Sequence, residues 1–181
     1  MVILSECGDT PLITVCSMTY IRSSTAVDCL LRRGADVIAR GRGRDTALHR
    51  ALLTNVPDVV KSLIAAGSDL EARNNSGATP LICFLTNPRV GIHHVVALNI
   101  LLDAGVDVHA RDNRGRTVLH MLDSPFIDKR CKIEVARELL ERGVDINARD
   151  QDGATPLRLL VQMNFRLEAF QAFLVAHGAA E

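Results

Sequence analysis

Tryptophan is absent, aromatic residues make up only 3% of the 181 positions, and 21 lysines and arginines are balanced by 21 aspartates and glutamates. Binders of single-stranded nucleic acid combine a basic groove with stacking aromatics, so this composition argues against nucleic acid as a partner and makes any charge effect local. No apolar run reaches the ~20 residues needed to span a bilayer, and the opening stretch MVILSECGDT has no basic n-region, so no membrane association is expected. The five cysteines, Cys7, Cys16, Cys29, Cys83 and Cys131, are odd in number and show no C-x-x-C spacing. That excludes the usual signatures of a disulfide framework or a zinc ribbon and points to a reducing, intracellular setting, cytoplasm or nucleus. G-x-S-x-G, P-loop, H-E-x-x-H and Rossmann fingerprints are all missing, so no catalytic residues and no cofactor are expected. His93 and His94 are adjacent, and on a helix adjacent side chains diverge, so they make a poor metal pair and no metal site is expected.

What the chain does contain is repetition. Residues 139–157, LLERGVDINARDQDGATPL, join the end of one apolar helical pattern to the start of the next. Gly143 stands where a helix stop wants a residue that tolerates positive φ, and Thr155 and Pro156 supply an N-cap and a first-turn proline. Equivalent threonines occur at Thr10, Thr46, Thr79, Thr117 and Thr155, at intervals of 36, 33, 38 and 38 residues. Helix-ending glycines recur in step at Gly34, Gly67, Gly105, Gly143 and Gly178, each preceded by an apolar pair such as Leu30-Leu31 or Leu101-Leu102.

TALHRA at 46–51, together with the segments GADV, GSDL, GVDV and GVDI after the second helices, resembles the T-P-L-H-x-A repeat of the ankyrin family. The resemblance covers nearly the whole chain. It implies an all-α fold: an ankyrin-repeat solenoid of five helix-turn-helix repeats joined by β-hairpin fingers, forming a single array over residues 1–181. The repeats fall at about 1–38, 39–71, 72–109, 110–147 and 148–181. It also implies that His49 and His120, in the histidine slot of the motif, bond near the helix start; Ile13, Ile82 and Arg158 fill that slot elsewhere.

Threonine-to-glycine distances of 24, 21, 26, 26 and 23 give units three and four five more residues than unit two. Pro88, Gly91 and Pro125 break helical continuity, so the extra length is expected between paired helices, in residues 87–94 and 124–131. Val15, Phe84, Leu122 and Leu160 replace the small alanine held by Ala51, which predicts wider helix spacing. Phe170, Phe173 and Leu174 lie in the last helix, where a polar cap would carry more charge. This predicts end-to-end self-association or a longer parent chain.

The connectors align as ARGRGRDT, ARNNSGAT, ARDNRGRT and ARDQDGAT, which puts Arg40, Arg73, Arg111 and Arg149 at one recurring position. Arg42, Arg44, Arg114 and Arg116 thicken the basic edge, and Asp112 and Asp150 are suited to fixing their turns by bonding their own backbone. In the first connector Arg44 occupies the usual glycine slot. In the family such fingers, with the exposed face of the first helix, line the groove that holds partners. Two readings stand: a solvated surface, or a row in which Arg40, Arg42, Arg73, Arg111, Arg114 and Arg149 bind an acidic segment of a partner protein. Asn147 ends LLERGVDIN, which resembles the site of the asparaginyl hydroxylase that acts on ankyrin repeats; the plainer reading is a residue that structures the finger. The expected function is a non-catalytic protein-interaction scaffold with a concave groove and basic fingers, the alternative being the substrate-recognition part of a larger enzyme or ubiquitin-ligase assembly.

Overall fold

A computed structural model of the chain describes residues 8–18, 24–54, 56–86, 94–123, 129–162 and 168–180. Its α-helices are α1 (Pro11–Ser17), α2 (Thr25–Arg32), α3 (Ala47–Thr54), α4 (Pro57–Ala65), α5 (Pro80–Leu85), α6 (His94–Asp103), α7 (Lys129–Glu141), α8 (Pro156–Gln162) and α9 (Glu168–Ala176). Two 3₁₀ turns, Arg42–Arg44 and His120–Asp123, complete the described helical elements.

Helix starts follow local chemistry. Thr10 and Thr79 accept hydrogen bonds from the N–H groups of Ile13 and Ile82, and each is followed by proline, whose missing N–H costs nothing in the first turn. Thr155 caps α8 in the same way through Arg158 N, at 3.2 Å. Helix ends follow the glycines: Gly143, at φ 78°, lets its own N–H and that of Val144 return to the carbonyls of Leu140 and Leu139.

The first helices stack in the order α1, α3, α5, the His120–Asp123 turn and α8, and the second helices stack behind them as α2, α4, α6, α7 and α9. Between the layers lies one core, in which Leu48, Leu63, Leu81, Phe84, Leu98, Leu122, Leu139 and Phe170 are almost wholly buried. Removing a side chain such as Phe84 would cost about 3–5 kcal/mol through lost transfer energy and a residual cavity. Val27 supplies the buried stripe of α2, with Leu30 and Leu31 packed beside it.

Unit four departs from its neighbours. Val118 stands where units one, three and five have proline, and the first helix is reduced to a 3₁₀ turn whose i→i+3 bonds link His120, Met121 and Leu122 to Thr117, Val118 and Leu119. Lys132, fully buried on α7, donates from Nζ to the Leu122 carbonyl at 2.7 Å and lies over the Phe170 ring. The extra residues of units three and four fall between α5 and α6 and between this turn and α7. Residues 87–93 and 124–128 of those links lie outside the described residues, as do Asn55 and Asn164, which hold the slot between paired helices where the family usually has glycine. His94 and residues 129–131, expected in the links, belong to α6 and α7.

The final helix also differs from expectation. Phe170 and Leu174 are each 1% exposed against the core, and Arg137 of α7 lies over the Phe173 ring with its guanidinium carbon 5.7 Å from the centroid. The exposed large apolar side chains of this last pair are Val161 and Val175. No helix among the described residues is long and apolar enough to cross a membrane.

Candidate functional site

The connectors between units form one edge of the stack, and each is built by a recurring set of local bonds. After each second helix, Oδ1 of Asp36, Asp69, Asp107 or Asp145 accepts the N–H two residues on, closing an Asx turn. The tip is a second, tighter turn. In the connector of 72–79, Asn74 N–H donates to the Ala78 carbonyl and Gly77 N–H returns to the Asn74 carbonyl. Asp112 with Arg116 and Gly115, and Asp150 with Ala154 and Gly153, repeat the arrangement. Asn74, Asp112 and Asp150 each accept two further N–H groups of the tip on Oδ1, as expected for the two aspartates. No strand occurs in these connectors among the described residues, so the expected β-hairpin fingers take the form of hydrogen-bonded turns.

Adjacent tips are joined through their backbones. Asn75 N–H donates to the Gly43 carbonyl at 2.8 Å, Asn113 N–H to Ser76 at 3.0 Å and Gln151 N–H to Arg114 at 2.9 Å. The four fingers thus form one continuous row.

The recurring arginines act within that row. Nη1 of Arg40 donates to the Arg73 carbonyl at 2.6 Å, Nη1 of Arg73 to the Arg111 carbonyl at 2.6 Å, and Nη1 of Arg111 to the Arg149 carbonyl at 2.8 Å. Arg73, Arg111 and Arg149 also donate to the glycine carbonyl of their own tips, Gly77, Gly115 and Gly153. Arg73 and Arg111 therefore each tie their own turn to the next unit, while Arg40 bonds only the next unit and Arg149 only its own tip, roles the repeat spacing alone did not reveal. All six arginines expected to contact a partner are exposed, and Arg42 and Arg114, with Arg44, make no side-chain bond to the described residues. Arg116 is spent locally, since its Nη2 lies 2.8 Å from Asp112 Oδ2.

The first finger is assembled differently. Gly41 replaces the Asn or Asp of the other tips, so no side chain of its own can brace the turn. Asp9 from the preceding unit does so instead: its Oδ1 accepts Arg42 N–H at 2.7 Å and occupies the space that a Cβ on Gly41 would need. Gly43 (φ 71°) and Arg44 (φ 63°) are both left-handed, and Arg44 is the one described non-glycine residue with positive φ.

Two histidines bolt finger to helix. His49 Nδ1 accepts Thr46 N–H at 3.2 Å, which leaves the proton on Nε2 to donate to the Ala78 carbonyl of the next finger at 3.2 Å. His120 does the same between Thr117 N–H and the Ala154 carbonyl. Burial disfavours the imidazolium and holds both pKa values below the ordinary 6.5. Asp45, His49 and Cys83 come close enough to suggest a metal, with ligand atoms within 4.8 Å of one another. Their donors are already committed: Asn74 Nδ2 bonds both Asp45 Oδ1 and Cys83 Sγ, Arg50 Nε lies 3.2 Å from Asp45 Oδ2, and both His49 nitrogens are paired. Burial also pushes the Cys83 thiol up to about 12, so it is a neutral thiol in a hydrogen-bond network.

Asn147, exposed, is held by its carboxamide: Nδ2 donates to Gly178 O at 3.0 Å and Oδ1 accepts Ala180 N–H at 2.7 Å. Glu134, Glu138 and Glu141 lie on α7 and Glu168 on α9, all in the second layer.

A family model described as ankyrin repeats in three copies matches residues 53–150, and another, ankyrin repeats in many copies, matches residues 127–174. The chain is 35% identical over 83 residues to the human (Homo sapiens) ankyrin repeat and SOCS box protein 16. That alignment covers 43% of this chain and 18% of the relative, so the chain matches a small part of that protein's length.

Proposed function

This chain belongs to the ankyrin-repeat family, and from that premise we propose that it is a non-catalytic scaffold whose finger edge holds an acidic segment of a partner protein. The observation that carries the reading is the row of arginines along one edge. Exposed guanidiniums of Arg40, Arg42, Arg73, Arg111, Arg114 and Arg149 share one hydrogen-bonded row, in which Asp112 and Asp150 are turned onto the backbone of their own tips. Rigid fingers reduce the ordering cost of binding, and guanidinium forks suit carboxylates. An intracellular setting, cytoplasm or nucleus, goes with this reading.

Exposed ion pairs are worth only ~0–1 kcal/mol each, so several must act together and affinity must fall as salt rises. The partner is to be captured by affinity pull-down with the full chain and identified by mass spectrometry. Arg42→Glu with Arg114→Glu then tests the edge without disturbing the carbonyl bonds of Arg73 and Arg111. Loss of binding and of its salt dependence is expected; unchanged binding would place recognition elsewhere.

A second reading, in which the array selects substrates for a larger enzyme or ubiquitin-ligase assembly, is favoured by the relative's name, which joins ankyrin repeats to a SOCS box. Finding a further domain in the intact gene would support it. Two smaller proposals accompany the main one. End-to-end association would use Val161 and Val175, 48% and 57% exposed, and should weaken in sedimentation when both become aspartate. Hydroxylation of Asn147 would require its carboxamide to leave Gly178 and Ala180; peptide mass spectrometry after treatment with the asparaginyl hydroxylase checks for the added oxygen.

A further inference from the structure

The free guanidiniums are unevenly placed along the row. Finger one offers Arg42 and Arg44, and finger three offers Arg114, all exposed and without side-chain bonds to the described residues. Between them, finger two presents the neutral Asn75 and Ser76 at its tip, both exposed, and its Arg73 is engaged with two carbonyls. Finger four places the exposed Asp152 where finger three has Arg114, and so disfavours a carboxylate.

The backbone bonds between tips turn this pattern into a ruler. Each finger is a two-limbed turn, so neighbouring tips lie about two strand spacings, or ~10 Å, apart, and fingers one and three ~20 Å apart. An extended peptide advances ~3.3 Å per residue and crosses that gap in about six residues.

We infer that the finger edge recognises a bipartite acidic segment in extended conformation, with one carboxylate cluster on Arg42 and Arg44 and a second, about six residues away, on Arg114. The uncharged stretch between the clusters crosses Asn75 and Ser76, and the acidic fourth finger prevents a shift of one unit along the row. The inference rests on the acidic-partner reading and adds to it a spacing, a conformation and a register.

The test uses fluorescein-labelled synthetic peptides of equal charge, each with two Asp-Asp pairs separated by one, four or ten Gly/Ser residues. Anisotropy is measured at low ionic strength with the full chain. The four-residue spacer places the pairs six residues apart and is expected to bind about fivefold tighter than the other two, because both clusters engage at once. That preference should vanish in Arg42→Glu, Arg114→Glu, whose thermal melt should match the parent because neither side chain bonds the fold. Equal binding of all three spacers would overturn the bipartite register while leaving an acidic partner in place. A preference that survives in the double variant would also overturn it, by placing the register elsewhere. If no Asp peptide binds better than an uncharged Gly/Ser control, both the register and the acidic-partner reading fail.

Discussion

Arg73 and Arg111 differ from Arg42 and Arg114 in everything except residue type and edge. The first two recur at one place in the repeat, and each spends its Nη1 on two backbone carbonyls, one in its own finger and one in the next unit. The others occur at tip positions that vary between units, and their side chains bond nothing among the described residues. Recurrence in a repeat protein therefore marks the positions that every joint needs, and variation marks those free for a partner. The histidines show intermediate behaviour, since His49 and His120 fasten two joints while Ile13 and Ile82 fill the same slot at two others.

The largest effect should come from breaking a bolted joint. His49→Leu removes the acceptor of Thr46 N–H and the donor to Ala78 O in a buried site, so a loss of about 2–4 kcal/mol is expected in urea unfolding. His120→Leu should behave alike. A smaller loss in either would mean that these joints resemble those held by Ile13 and Ile82.

Acid acts on the same joints. The folded pKa values of His49 and His120 lie below 6.5, so between the folded and unfolded values the unfolded chain binds more protons. Stability from this source is complete above about pH 6.5 and is lost as pH falls below it. Urea midpoints should therefore drop from pH 7.5 to pH 5.5, and the drop should be smaller in His49→Leu.

The smallest of these effects concerns the first finger, the one tip with a side chain in a left-handed position. Arg44→Gly relieves that strain, worth ~1–2 kcal/mol, against the added flexibility of glycine in the unfolded chain, ~0.5–1 kcal/mol. A net gain of about 0.5 kcal/mol is expected, seen as a slightly raised melting temperature.

The part of this architecture legible in the sequence is the part set by neighbours within about four residues. Thr10, Thr79 and Thr155 cap helices through the third residue on, and Asp112 and Asp150 brace their own turns, so residue type and spacing suffice to read them. The arginine ties span 33 or 38 residues, and the Asp9 carboxylate reaches 33 residues to Arg42. Such bonds depend on the register of stacked units, which periodicity implies but does not supply in detail. The burial of Lys132 escapes a local reading for the same reason: it arises from packing between α7, the turn and α9.

The division between joining and free arginines can be measured without a partner. Equilibrium urea unfolding of Arg73→Gln, Arg111→Gln is to be compared with that of Arg42→Gln, Arg114→Gln. Four charge-assisted bonds to carbonyls are lost in the first, discounted for exposure to about 2 kcal/mol in all, and none in the second, which should stay within ~0.5 kcal/mol of the parent chain. Equal stability of the two double variants would contradict the account, because the recurring arginines would then be as dispensable to the fold as those at the tips.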